Sequence, residues 1–109
     1  MKTYTFRDFI WSSIHFIPGK HGAAAHPHWH QYRARFWFTG NVDQDWLIER
    51  LEKTFGRLHG ASLNSIIQPD SSDETVAKWL LIEATKNVCA TCFRVSVEND
   101  GKRGAEVEV

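Results

Sequence analysis

Neither sign of charge is in excess in this sequence, where 13 Lys and Arg residues face 13 Asp and Glu. Such a balance gives no net pull on a phosphate backbone or an anionic bilayer, so nucleic acid is not expected as a partner. Long apolar runs are missing as well. None approaches the roughly 20 residues of a membrane helix, and the opening Met1-Lys2-Thr3-Tyr4 has no signal-peptide stretch. The expectation is a cytoplasmic protein with no membrane partner. Repeats, low-complexity tracts and long linkers are also lacking. The chain of 109 residues, 42% apolar and 13% aromatic, is therefore expected to form one domain over residues 1–109.

Cysteine is scarce. Cys89 and Cys92 make a single Cys-x-x-Cys, whereas a four-cysteine zinc knuckle needs a second pair. A thioredoxin-type motif opens a helix, but this pair runs into the strand-like Phe93-Arg94-Val95-Ser96-Val97. Ordinary strand packing is the expected role of the two thiols, with redox chemistry as the alternative.

Hydrophobic periodicity gives the order strand, strand, helix, helix, strand, strand. The first strand covers about Tyr4 to Phe16 and is broken by Pro18-Gly19-Lys20-His21-Gly22; the second runs from about His28 to Thr39. Along the second, His28, His30, Tyr32, Ala34, Phe36 and Phe38 share one face, which reads as core with the histidines at its mouth. Asp43 can cap a helix in which Leu47, Leu51, Phe55 and Leu58 recur at helical spacing, ending near Gly60. After a loop containing Pro69, Ser71 to Glu74 has capping-box spacing. Val76, Ala77, Leu80, Leu81 and Ala84 then form an apolar stripe. The chain ends in a hairpin with Val95 and Val97 answered by Val107 and Val109 across Asn99-Asp100-Gly101. This pattern predicts an α+β layer pair: a four-stranded antiparallel sheet with two helices on one face.

The residues with most chemistry are histidines. His28 and His30, two apart on a strand, project from the same face and can share one ion. Three neutral imidazoles suit zinc and leave a fourth position for water or substrate. Taken alone, the pair can also be an accident of a histidine-rich loop. A double-stranded barrel metal site would want a carboxylate soon after His30, but Gln31, Tyr32, Arg33, Ala34 and Arg35 follow. His15, the third candidate, raises a parity problem. In an unbroken strand it shares a face with Phe9, Trp11 and Ser13, while Tyr4, Phe6, Ile10 and Ile14 lie opposite. A bulge near Asp8-Phe9 would bring His15 to the buried side; the alternative is that oligomer contacts bury both faces. The bulge is the favoured expectation.

Trp11-Ser12-Ser13-Ile14-His15 and His28-Trp29-His30-Gln31-Tyr32 resemble the aromatic-x-Ala-x-His and His-Gly-His-x-Tyr segments of the 6-pyruvoyl-tetrahydropterin synthase and 6-carboxy-tetrahydropterin synthase family. Trp46-Leu47-Ile48-Glu49, Leu63-Asn64, Ser72-Asp73-Glu74-Thr75-Val76-Ala77 and Val95-Ser96-Val97-Glu98 are similar to further family segments, in the same order. The resemblance implies the tunnelling fold and a homo-oligomeric ring, a hexamer, with active sites between subunits. It also implies Zn2+ held by His15, His28 and His30, a pterin-like small-molecule ligand anchored by Glu98, and further ligand contacts at Ser72 and Glu74.

The departures bear on activity. The family's cysteine falls on Ala24, its Asp-His dyad on His59-Gly60, and the glycine between its ligand histidines on Trp29. Trp29 is expected to point away from the metal. His26 and His59 are the candidate replacement acid/base groups, each with a plain solvent-exposed role as its alternative; His21 is given none. Three readings follow: a zinc-dependent pterin lyase acting on dihydroneopterin triphosphate or a relative; a non-catalytic metal- and pterin- or purine-binding oligomer; and a structural oligomer with Trp11, Trp29 and Trp37 in its interfaces.

Overall fold

A computed structural model describes residues 1–17, 19, 22–67 and 70–109. The expected strand break around Pro18, Lys20 and His21, and the turn at Pro69, lie outside the described residues. Four strands, β1 (Tyr4–His15), β2 (His28–Thr39), β3 (Cys92–Asn99) and β4 (Arg103–Glu108), form one antiparallel sheet in the order β1-β2-β3-β4. Two helices, α1 (Gln44–Phe55) and α2 (Asp73–Asn87), come between β2 and β3 and cover one face. No helix among the described residues is long and apolar enough to cross a membrane.

Each helix starts where its backbone finds a side-chain acceptor. Asp43 accepts the Trp46 N–H at 2.8 Å, and Leu47, Leu51 and Phe55 bury the helix face behind it. The α-helix stops at Phe55 and continues only as a 3₁₀ turn over Gly56–Leu58, short of the expected Gly60. In α2 the cap is Ser72, one residue later than expected, accepting from Thr75 N; Ser71 is free for another task. The stripe Val76, Ala77, Leu80, Leu81 and Ala84 is buried as its spacing requires, in one core cluster with Tyr32, Ala34, Phe36 and Phe38 of β2 and Val95 and Val97 of β3.

The parity problem in β1 is resolved against the bulge. β1 pairs with β2 in unbroken register from Tyr4↔Thr39 to His15↔His28. Phe9, Trp11, Ser13 and His15 face the core, and Tyr4, Phe6 and Ile10 stay exposed on the outer face. Apolar residues do line both sides of the strand, but the inner face is recognisable by its satisfied polar groups. Thr5 Oγ1 donates to Gly40 O and accepts from Val42 N, and Ser13 Oγ accepts the Trp11 indole N–H at 2.9 Å. The register shift in the sheet lies elsewhere, between Trp37 and Phe38 opposite Arg94 and Cys92. On the outer face, the Arg35 guanidinium pairs with Asp8 and sits 4.4 Å over Phe6, and Arg94 sits 4.3 Å over Trp37.

In the terminal hairpin Val95 pairs with Val107 as expected, but Val97 pairs with Ala105 rather than Val109. Gly104 is needed there. A Cβ at this position would fall 1.8 Å from Val97 O and 2.9 Å from Glu98 Cα, both backbone atoms that no rotamer change can move. Gly104→Ala is expected to force β4 off β3 and to lower stability by about 1–3 kcal/mol, as overpacked sites do. A urea melt with an unchanged midpoint would contradict this.

Cys92 packs in the core as the first residue of β3, whereas Cys89 lies in the turn before the strand, partly buried against the core with its Sγ 3.0 Å from Thr91 Oγ1. Both are free thiols, and burial pushes the Cys92 thiol up to about 12, which leaves it protonated and inert at neutral pH.

Candidate metal centre

β1 ends and β2 begins at the pair His15↔His28, and His30 is two residues further along the same face of β2. The antiparallel register therefore stacks all three imidazoles at one end of the sheet. Ring centroids lie 4.6 Å apart for His15 and His28, 4.8 Å for His15 and His30, and 4.6 Å for His28 and His30. One ring nitrogen from each falls within 4.8 Å of the others.

The second nitrogen of each ring is tied down. His15 Nδ1 is 3.1 Å from Ser71 O, His28 Nδ1 is 2.6 Å from His26 O, and His30 Nδ1 bonds the Asp100 carboxylate. Carbonyl and carboxylate oxygens only accept, so each Nδ1 carries the proton and each Nε2 keeps its lone pair. The Nε2 atoms of His15 and His30 are buried with no hydrogen-bond partner among the described residues. Burying a polar nitrogen without a partner costs about 1–3 kcal/mol, which a bound ion would remove. Metal-ligating histidines commonly have this arrangement, with Nδ1–H on an outer oxygen and Nε2 on the ion. The three residues thus fit a zinc ion with one coordination position left open.

Burial holds the His15 pKa below the usual histidine value, opposed by the hydrogen bond to Ser71 and reinforced by His28 and His30. The ring is neutral near pH 7, as a ligand must be. Behind it, the Asn64 side-chain amide donates to Phe16 O and accepts Phe16 N–H at 3.0 Å, fixing the end of β1. Ser71 Oγ bonds Phe16 O and Asn64 Oδ1 in the same knot. Beneath, Tyr32 meets His15 and His30 edge-on at 6.0 Å and stacks on Trp11 at 4.9 Å.

The histidines open into a 480 Å³ pocket also lined by Ile17, Ser72, Asp73, Glu74, Asn99 and Arg103. Its polar wall is cross-linked: Arg103 Nε donates to Asn99 Oδ1, and Asn99 Nδ2 donates to Asp73 Oδ1 at 2.7 Å. Ser72 and Glu74 therefore share a pocket with the histidines. The other expected site residues do not. Glu98 is exposed and lines hollows with Arg33, between an inward Val97 and an inward Asn99. His59 is 3.4 Å from Glu52 and packs on Phe9, six residues or about 20 Å along β1 from His15. The His26 side chain is exposed and contributes its backbone carbonyl instead. Trp29 points outward, 60% exposed, and Trp11 belongs to the core, not to an interface. Ala24 lies in a 3₁₀ turn, Gly22–Ala25.

Sequence reasoning missed Asp100, Ser71, Asp73, Asn99 and Arg103. Asn99-Asp100 was legible only as a turn. The contact that makes Asp100 important spans 70 positions and leaves no local signal.

By fold and site, then, this is an α+β protein with a histidine triad suited to a metal. No family model and no curated protein sequence matches the chain. Among solved structures, Caenorhabditis elegans 6-pyruvoyl tetrahydropterin synthase aligns with all of this chain (100%) and 96% of its own, at TM-score 0.82 and 15% identity. Plasmodium vivax 6-pyruvoyltetrahydropterin synthase, as a variant with a catalytic glutamate changed to alanine, covers 100% of this chain and 98% of its own, at TM-score 0.79 and 15% identity. The chain has the 6-pyruvoyl tetrahydropterin synthase fold at strongly diverged sequence.

Proposed function

We propose that the protein is a zinc-dependent, pterin-processing lyase in which His15, His28 and His30 hold the ion and the adjoining pocket receives a dihydropterin with a three-carbon side chain. The observation that carries the reading is the pair of buried, unpartnered Nε2 atoms converging at the mouth of that pocket. Bound zinc would polarise a side-chain oxygen and acidify the neighbouring C–H bonds. The chain's own part is to position the ligand and move the proton. Asp73 is already held by Asn99, whereas Glu74 has no hydrogen bond or ion pair among the described residues and faces the same pocket. Glu74 is therefore the proposed proton acceptor, ahead of His59, which packs far along β1, and of His26, whose side chain is exposed and does not line the pocket. A catalytic glutamate in the Plasmodium vivax fold neighbour supports a carboxylate in such a role.

Glu98 can anchor a pterin ring only from the opposite side of its own sheet, so this role requires the pocket to be completed by a second copy. The exposed Tyr4, Phe6 and Ile10 on the outer face of β1 support such an assembly. The exclusion of His26 and His59 from the pocket favours a second reading, a metal- and pterin-binding protein without turnover.

One experiment separates the two. Zinc-loaded protein is incubated with dihydroneopterin triphosphate, products are separated by chromatography, and melting temperature is recorded with and without the pterin. Product formation that Glu74→Gln abolishes supports the lyase. A melting shift without product supports the binding protein, and neither, with zinc bound, overturns the pterin assignment.

A further inference from the structure

The three histidines are not equivalently supported. His15 and His28 donate their Nδ1–H to neutral backbone carbonyls, but His30 donates to a carboxylate. That carboxylate belongs to Asp100, at the turn between β3 and β4, and both its oxygens are used. Oδ2 takes the His30 proton and Oδ1 accepts Gln31 N–H at 3.0 Å, while the Asp100 N–H donates to Gln31 O at 2.7 Å. The carboxylate plane is thereby fixed relative to β2. Asp100 is also the one described non-glycine residue with positive φ, 53°, a conformation that Asp and Asn tolerate better than other side chains.

We propose that Asp100 is the positioning carboxylate of the metal centre, acting through His30 to set how tightly the ion is held and how strong a Lewis acid it becomes. The inference rests on the reading of the triad as a metal site. A carboxylate hydrogen-bonded to a ligand imidazole fixes its tautomer, orients the ring and raises its basicity. A charge-assisted bond does this more strongly than a bond to a neutral carbonyl. It also places one negative charge beside an ion whose three protein ligands are all neutral. His30 thus becomes the strongest donor of the three.

The same turn carries a second consequence. Asn99 and Arg103 flank it and form a wall of the pocket, tied together by the Arg103 Nε to Asn99 Oδ1 bond. Asp100 thus sits in the same turn as two residues of the pocket wall, beside the contact that would orient His30 toward a bound ion. The plainer role for Asp100, a turn residue that merely satisfies Gln31 N–H, predicts no effect on the metal beyond general loosening.

The test compares wild type with Asp100→Asn, which keeps an acceptor oxygen and loses the charge, and with Asp8→Asn, a carboxylate paired with Arg35 on the outer face. Zinc affinity is measured by competition with a chromophoric chelator near neutral pH, and the visible spectrum of the cobalt-substituted protein reports the ligand field. Asp100→Asn is expected to weaken zinc by about 10- to 100-fold and to shift the cobalt bands, with Asp8→Asn indistinguishable from wild type. Wild-type affinity and an unchanged cobalt spectrum in Asp100→Asn overturn the proposal. If that variant fails to fold, imidazole nitrogen NMR of the zinc-loaded wild type decides. A slowly exchanging proton on His30 Nδ1 supports the proposal, and metal on Nδ1 overturns it. Wild-type protein that takes up no zinc overturns the metal reading itself, whereas zinc uptake indifferent to Asp100 overturns only this inference.

Discussion

His28→Ala is expected to yield a folded protein that no longer takes up zinc. Two imidazoles and an open mouth cannot hold the ion as three do. Loss of a direct ligand should cost more than the roughly 100-fold upper range for loss of an outer partner. The apo fold should survive, because His28 is only half-buried at the start of β2 and its Nδ1 bonds a carbonyl two residues away. The thermal readout is large. Zinc at 100 times its dissociation constant adds about 2.7 kcal/mol to wild type. At roughly 4–8 °C per kcal/mol for a domain of this size, the melting temperature rises by about 10–20 °C. In His28→Ala the melt with zinc should coincide with the melt without it. A retained zinc shift would mean that the ion sits elsewhere.

How far the sequence reveals this arrangement differs between residues. The alternation of His28, His30, Tyr32, Ala34, Phe36 and Phe38 specifies both a strand and its inner face, because β2 is a central strand buried on that side. β1 defeats the same logic. Its outer face carries Tyr4, Phe6 and Ile10, and its inner face includes Thr5, Ser13 and His15. A rule that equates apolar with buried therefore needs a bulge that does not exist. What identifies the inner face is polar satisfaction, namely Thr5 to Gly40, Ser13 to Trp11 and His15 to Ser71. These contacts exist only once the chain has folded. Ser71 and Ser72 make the same point at a single step. Either serine suits a helix start, and the choice falls to Ser72 because Ser71 is drawn under His15 and Phe16.

The site residues divide in the same way. The histidine triad was readable because a strand carries two of its members at fixed spacing. The residues that orient them were not, because their contacts are long-range: Ser71 is 56 positions from His15 and Asp100 is 70 from His30. Glu98 shows the limit of reading roles by resemblance. Its place in sequence suits a ligand anchor, yet strand parity turns it away from its own chain's histidines.

Trp11→Ala is expected to damage both the core and the metal centre, and comparison with His28→Ala separates the two effects. Trp11 is 2% exposed, stacks on Tyr32 with rings inclined by 12°, leans on Phe9 at 5.9 Å and donates to Ser13 Oγ. Truncation of a buried tryptophan costs about 3–5 kcal/mol, a large share of the roughly 5–15 kcal/mol that holds a domain together. A fall in melting temperature of at least about 12 °C follows in the metal-free protein. The effect on zinc is indirect. Tyr32 loses the surface it stacks on, and Tyr32 is the ring against which His15 and His30 are set edge-on. Urea melts with and without zinc should therefore show a lowered apo midpoint and a reduced zinc increment in Trp11→Ala. In His28→Ala the apo midpoint should hold while the increment disappears. A Trp11→Ala protein that keeps the full zinc increment would show that the histidines are positioned by their own hydrogen bonds to Ser71, His26 and Asp100 alone, without the aromatic floor beneath them.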